Sequence, residues 1–224
     1  MNASQQTYIK GLRYGWLTRF YDPVIKLFFD EDRLREQFIS QMNLTGNETA
    51  LDLGCGTGTL SIMLKMKYPG LKVVGIDGDN DMLLRARNKA ALNNTKITFT
   101  HALAQSLPFE PDTFDVVVSS LVFHHLPTDV KKSALEEIHR ILIPGGKLYI
   151  SDWGQPSTRI ERMRFYSIQM LDGFKTTADN VSGKLFQYIN DAFDNTEEII
   201  RINTLFGVMS VYTALKDSAQ NNAL

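Results

Sequence analysis

From about Thr49 onward, apolar runs of strand length alternate with stretches in which apolar residues recur every three or four positions. The runs predict β-strands and the stretches predict amphipathic helices. Glycine, proline or asparagine follows many of these segments and ends one element before the next begins. Strands and helices that alternate through short connections form a doubly wound, mostly parallel α/β sheet. The predicted strands are 49–53, 72–76, 97–100, 114–119 and 147–151, and the predicted helices are 59–67, 81–92 and 131–142.

Two further strand-like runs, 197–204 and 208–215, predict an antiparallel hairpin that closes the sheet at seven strands. Two segments outside this alternation are predicted to be helical. We therefore expect a helical N-terminal lid at 1–45, rich in aromatic residues, and a domain at 46–215 with a helical insert at about 155–195. The polar tail at 216–224 is expected to be frayed.

Composition narrows the function classes. The 224 residues carry a formal net charge of -1 and show no basic stripe, so a nucleic-acid partner is not expected. Cys55 is the only cysteine, which excludes an intrachain disulfide and a thiolate metal cage. The histidines show no metal-ligand spacing, and we expect no metal. The chain shows neither a signal peptide nor an apolar run of roughly 20 residues for a membrane span, so we expect a soluble cytoplasmic protein.

A glycine-rich segment, Leu51-Asp-Leu-Gly-Cys-Gly-Thr-Gly58, follows the first predicted strand and opens the first predicted helix. This context is typical of a nucleotide-binding loop. The spacing is G-x-G-x-G, whereas dinucleotide-binding loops have G-x-G-x-x-G. Asp52 would repel a pyrophosphate at the helix N-terminus but would attract a cationic cofactor. The alternative interpretation is a tight turn without a ligand.

Asp77 ends the second predicted strand. In dinucleotide-binding folds an acid at a strand end, about 20 residues beyond the glycines, accepts hydrogen bonds from the ribose hydroxyls. The same position here predicts a ribose contact. The alternative is that Asp77 only caps the next helix.

Together these motifs resemble those of class I S-adenosylmethionine-dependent methyltransferases. The resemblance covers the segment 51–58, Gly75-Ile-Asp77, Ser106-Leu-Pro-Phe109 with Phe114-Asp115, and Pro144-Gly-Gly146. It implies a Rossmann-like methyltransferase fold and S-adenosylmethionine as the cofactor. Carried over by position, Asp52 would hold the methionine ammonium through water, Gly54 and Gly56 would lie under the cofactor, and Asp77 would bind the ribose.

The resemblance also implies contacts to the rest of the cofactor. Gly78, Leu103 and Ala104 would line the adenine, and Ser119 would place its backbone near the methionine moiety. Relatives often have an aspartate where this chain has Leu103, so adenine recognition would depend on backbone groups and packing. Arg19-Phe-Tyr-Asp22 resembles an element that covers the cofactor in many relatives, which implicates Tyr21.

His124 and His125 follow the fourth predicted strand, at the edge of the sheet where ligands bind in such folds. One of them is a candidate general base for an acceptor that arrives protonated. Adjacent helical side chains point about 100° apart, so at most one is expected to face the pocket. Small-molecule relatives often carry a histidine at the second position, which favours His125. The alternative is that both only form local hydrogen bonds.

These features predict an S-adenosylmethionine-dependent methyltransferase that acts on a small, apolar or aromatic acceptor. The alternatives are a nicotinamide-dependent oxidoreductase, a non-catalytic S-adenosylmethionine-binding protein and a nucleic-acid methyltransferase. A lipid or quinone precursor taken from a membrane surface would require a basic face, which the sequence does not reveal. A homodimer is an open alternative to a monomer.

Overall fold

The computed structural model describes residues 31–218. This range contains seven strands and seven α-helices, and one 3₁₀ turn spans Phe123–His125. The strands are β1 Thr49–Leu53, β2 Lys72–Asp77, β3 Thr98–His101, β4 Phe114–Ser120, β5 Leu142–Trp153, β6 Asp194–Thr204 and β7 Gly207–Leu215. The helices are α1 Glu31–Ser40, α2 Thr59–Lys67, α3 Asn80–Leu92, α4 Thr128–Ile141, α5 Arg159–Asp172, α6 Phe174–Val181 and α7 Lys184–Ala192.

The seven strands form one sheet in the order β3-β2-β1-β4-β5-β7-β6. Strands β1 to β5 are parallel, and β7 is antiparallel to both β5 and β6. This arrangement confirms the predicted doubly wound sheet with a closing hairpin. The direction of strand progression reverses between β1 and β4, and open α/β sheets bind ligands in the crevice at this point.

Helices pack on both faces of the sheet, so the central strands are buried on both sides, as the continuous apolar run in β4 requires. Phe38 and Ile39 of α1 are buried against Ala50 and Val116 on one face. Leu135 of α4 belongs to the cluster on the other face. The end of α1, within the predicted lid, therefore packs into the core, and Tyr21 lies outside the described residues.

Strand β5 begins at Leu142, five residues before its predicted start, and the predicted boundary was wrong. Pro144, Gly145 and Gly146 lie inside this strand, where Gly145 has φ +80° and the pairing with β4 is irregular. Lys216 holds this bend, since Gly145 N–H donates to its carbonyl and its Nζ lies 2.7 Å from Asp112 Oδ1. Lys216, the first residue of the predicted frayed tail, is therefore held by these contacts.

The predicted insert at about 155–195 contains α5, α6 and α7. A capping box begins α5, in which Thr158 and Glu161 satisfy each other's free backbone N–H groups. Among the described helices, none is long and apolar enough to cross a membrane.

Candidate active site

The loop between β1 and α2 is set by its three glycines. Gly54, Gly56 and Gly58 all have positive φ, at 72°, 53° and 74°, which side chains other than glycine rarely adopt. Cys55 N–H donates to the carbonyl of Ile76 at 2.8 Å, which ties the loop to β2. The loop is therefore held against the end of the second strand.

The first two glycines are needed for different reasons. A Cβ at Gly54 would lie 2.4 Å from a methyl carbon of Val122, so the space above this glycine is filled by the protein. A Cβ at Gly56 would meet no atom within 4 Å. Gly56 therefore leaves an open space beside the loop that a ligand can fill.

The carboxylate of Asp77 is hydrogen-bonded to this loop. Its Oδ2 accepts a hydrogen bond from Gly56 N–H at 2.8 Å, and its Oδ1 accepts one from Asp79 N–H at 2.8 Å. Burial raises the pKa of Asp77, although these hydrogen bonds oppose the shift. Each carboxylate oxygen can accept a second hydrogen bond, so the carboxylate can still receive two ribose hydroxyls.

A cavity of about 270 Å³ lies at the carboxyl ends of the parallel strands. Its polar side chains are Asp77, Gln105 and His125, and the other side chains that line it are apolar. An apolar cavity with a few polar groups is typical of a small-molecule site. It is lined by Leu53, Gly54, Gly56, Ile76, Asp77, Gly78, Ala102, Leu103, Ala104, Gln105, Leu121, Val122, His125, Leu126 and Val130.

Most of the residues predicted from the sequence meet at this cavity. Seven of them line it, namely Gly54, Gly56, Asp77, Gly78, Leu103, Ala104 and His125. The segment 102–105 closes one side, beyond the end of β3. These positions provide an apolar wall beside the carboxylate, which suits an adenine next to its ribose.

Asp52 and Ser119 lie outside the cavity lining. Asp52 is 2% exposed, and its Oδ2 accepts a hydrogen bond of 2.5 Å from Ser61 Oγ. Burial raises the pKa of Asp52 to about 6. Ser119 is fully buried, and its Oγ donates to the carbonyl of Leu53 at 3.0 Å. The predicted water-mediated contact of Asp52 and the backbone contact of Ser119 therefore stay predictions.

The two histidines occupy the 3₁₀ turn after β4, where only His125 lines the cavity. His124 is buried, and its Nδ1 lies 2.7 Å from Asp152 Oδ1. The other oxygen of Asp152 accepts from the backbone N–H of His124 at 3.3 Å. Asp152 thus fixes both the backbone and the ring of His124.

This pairing gives the two histidines different charge states. Burial alone would lower the pKa of His124, but Asp152 and Asp172 outweigh it and raise that pKa to about 9. Burial and the neighbouring His124 charge lower the pKa of His125 to about 4. At neutral pH, His124 is therefore an imidazolium and His125 is a neutral imidazole that faces the cavity.

Asp172, at the end of α5, contacts both rings. Its Oδ2 lies 3.5 Å from His124 Nε2, and its Oδ1 lies 3.9 Å from His125 Nδ1. These three side chains place possible metal-ligand atoms within 4.8 Å of one another, a grouping that the sequence spacing did not reveal. A protonated His124 has no free lone pair, so at neutral pH the cluster is a charge network.

Buried polar contacts fix the insert beside this cluster. Asn180 of α6 donates to the carbonyl of Trp153 at 2.9 Å and lies 3.4 Å from Asp152 Oδ1. Lys131 of α4 is fully buried, and its Nζ contacts Asp179 at 3.1 Å and the carbonyl of Thr176 at 2.7 Å. Buried polar contacts therefore tie α6 to α4 and, through Asp152, to the histidine turn.

Sequence reasoning missed Asp152, Asp172 and Leu121. Asp152 lies 28 residues after His124, and the sequence carries no local signal that they pair. Leu121 lines the cavity with a φ of +59°, which is uncommon for a residue with a branched apolar side chain. The segment that follows β4, residues 121–125, contains no glycine that would have indicated this conformation.

Comparison with known proteins assigns this region. Residues 50–146 match a family model described as a methyltransferase domain. A demethylmenaquinone methyltransferase from Thermus thermophilus is 42% identical over 106 residues, which cover 47% of each chain. A ubiquinone/menaquinone biosynthesis C-methyltransferase from Syntrophotalea carbinolica is 30% identical over 145 residues, 65% of this chain and 58% of that protein. The chain spans about half the length of the curated relatives it matches.

A solved structure shows the same fold. A methyltransferase from Methanosarcina mazei, described as S-adenosylmethionine-dependent, superposes with a TM-score of 0.63 at 24% identity. The match covers 78% of this chain and 95% of that one. The likeness extends beyond residues 50–146 and confirms the predicted Rossmann-like methyltransferase fold.

Proposed function

We propose that this chain, which belongs to the class I S-adenosylmethionine-dependent methyltransferases, transfers a methyl group from S-adenosylmethionine to a small quinol-type acceptor. The observation that carries the proposal is one cavity in which Asp77, held by the glycine loop, and the neutral His125 both line the wall. Asp77 would hold the cofactor in the same cavity that His125 lines, and His125 can orient the acceptor there.

The residues present fit the cofactor. Asp77 would accept hydrogen bonds from the two ribose hydroxyls, and the open space beside Gly56 leaves room for the cofactor. Leu103 and Ala104 offer an apolar wall to the adenine. S-adenosylmethionine supplies an electrophilic methyl group on a sulfonium. Because that reaction is an in-line displacement, positioning of the acceptor is the main demand on the protein.

The apolar lining and the names of the relatives together support a quinone-type acceptor in its reduced, quinol form. His125 would accept a hydrogen bond from a hydroxyl of that acceptor, since its ring is neutral at neutral pH. The imidazolium of His124 stays paired with Asp152 and disfavours a second positive charge on the adjacent ring. His125 therefore positions the acceptor more than it removes its proton.

The test is product formation by the purified full-length chain with methyl-labelled S-adenosylmethionine and chemically reduced demethylmenaquinone. We expect a singly methylated product by mass spectrometry. His125→Gln should lower kcat roughly 100-fold, the loss that a small misplacement of the reacting group can cause. His139→Gln is the matched control and should retain activity, because His139 packs edge-on against Phe193 and does not line the cavity. Cofactor binding without methylated product would contradict the proposed activity.

A further inference from the structure

Helix α5 has an unusual exposed face. Its inner face packs in the core through Phe165 and Ile168. Large apolar residues recur on its outer face at every third or fourth position, which places them in one stripe. They are exposed to between 47% and 70%, and they are Ile160, Met163, Tyr166 and Met170.

The stripe continues onto the next helix. Phe174, at the start of α6, is 54% exposed, and its ring centroid lies 6.5 Å from that of Tyr166. Five of the nine large apolar side chains that are exposed within residues 31–218 thus lie in this one stretch. Scattered exposed apolar residues are ordinary, but a contiguous patch indicates an interaction surface.

The exposed charged residues within 159–175 are all basic. Arg159, Arg164 and Lys175 are exposed, and the Arg162 guanidinium lies 4.0 Å from the ring centroid of Tyr166. The two acids of α5 face inward, with side chains that are only 13% exposed. Glu161 caps its own helix, and Asp172 contacts the histidines. The surface is therefore apolar in the middle and basic at its edges.

We propose that this outer face of α5 and the start of α6, which we call the α5 face, binds the surface of a membrane that contains anionic phospholipids. A helix that buries apolar side chains at the headgroup boundary and places cations beside them is suited to such a surface. The basic flank argues for lipid phosphate over an uncharged protein partner. The net charge of the chain does not reveal this basic face, because the two acids of α5 lie away from it.

The position of the α5 face relative to the cavity suggests a function for membrane binding. The same helix carries Asp172 on its inner side, in contact with the two histidines at the cavity. Binding at the outer side would bring the catalytic cavity to within one helix of the lipid. An apolar acceptor dissolved in the membrane would then have a short path to the cavity. The lipid binding itself does not depend on the proposed chemistry and can be measured without cofactor or acceptor.

The experiment is sedimentation of the full-length chain with vesicles of phosphatidylcholine alone or of phosphatidylcholine mixed with phosphatidylglycerol. We expect binding to the mixed vesicles that weakens as salt is raised, since the Debye length is about 10 Å at 0.1 M. Arg159→Gln with Arg164→Gln should weaken this binding about 30-fold at low salt. Met163→Gln with Met170→Gln should weaken it about tenfold or more.

Leu92→Gln is the matched control, since Leu92 is 88% exposed at the end of α3, and this variant should bind as the unaltered chain does. Circular dichroism would check that each variant is folded. Absence of binding to the mixed vesicles would overturn the proposal, as would binding that neither pair of substitutions weakens. A dimer in sedimentation velocity that Met163→Gln with Met170→Gln disperses, without vesicle binding, would assign the face to a second copy of the chain.

Discussion

Two adjacent residues of one type have different properties in this protein because only one of them pairs with Asp152. His124 contacts Asp152 at 2.7 Å and is held as an imidazolium, whereas His125 faces the cavity as a neutral ring. The pairing leaves a neutral acceptor of hydrogen bonds at the place where the acceptor molecule is proposed to bind. Asp152 is in this sense a positioning residue.

The pair predicts a pH dependence of stability. The pKa of His124 is about 9 in the folded protein and about 6.5 in an unfolded chain. The folded state therefore binds more protons between these values. The contribution of the pair to the free energy of unfolding is fully present below about pH 6.5 and is lost as the pH rises through about 9.

Asp152→Asn tests this expectation. It removes the buried charge that pairs with His124 and should lower the free energy of unfolding at pH 6.5 by about 3 kcal/mol. The difference between the unaltered chain and this variant should shrink toward pH 9. Urea unfolding followed by circular dichroism at both pH values measures it. A difference that is constant between these pH values would show that His124 is not the titrating group.

At the scale of elements, the glycines of the loop between β1 and α2 serve two purposes. Gly54 is required by packing within the protein, whereas Gly56 leaves space for a ligand. The Cβ that Ala would add at position 54 has to displace Val122, whereas at position 56 it would enter open space. Both positions have positive φ, which costs a residue with a side chain about 1–2 kcal/mol. The two glycines should therefore respond differently to the same substitution.

Gly54→Ala should lower the free energy of unfolding by about 2–4 kcal/mol, because overpacking adds to the backbone cost. Gly56→Ala should lower the free energy of unfolding only by the cost of the positive φ. Its main effect should be weaker binding of S-adenosylmethionine. Thermal unfolding and calorimetric titration of both variants measure the two effects. The interpretation of the loop would be wrong if Gly56→Ala bound the cofactor with unchanged affinity.

Most elements could be predicted from the sequence because their signals are local. The bounds of β1 and α2 agree with the prediction, since a short apolar run and the Pro69-Gly70 stop define them. The start of β5 could not be predicted, because Lys216 and the pairing with β4 keep the chain extended through a glycine pair. Long-range pairing overrides local turn preference there.

At the scale of the whole molecule, the site is assembled from the ends of β1, β2 and β4, the 3₁₀ turn and α5. Asp77 and His125 could be predicted to lie there, because residues at the carboxyl ends of parallel strands share one edge of the sheet. Asp152 and Asp172 could not, because their role depends on contacts with His124 across 28 and 48 positions of the chain. Residues without a motif become visible only when the fold brings them together.

The central claim is that the cavity binds S-adenosylmethionine through Asp77. Calorimetric titration of the full-length chain with S-adenosylmethionine, S-adenosylhomocysteine and NADH tests it most directly. Asp77→Asn provides the test variant, and Asp81→Asn is the control because Asp81 is an exposed acid at the start of α3.

We expect binding of the first two compounds and none of NADH. Asp77→Asn should weaken cofactor binding roughly 10- to 150-fold, since a hydrogen bond to a charged group contributes about 1.5–3 kcal/mol. Asp81→Asn should leave it unchanged. Binding of NADH in place of S-adenosylmethionine, or equal affinity of Asp77→Asn and the unaltered chain, would contradict the claim.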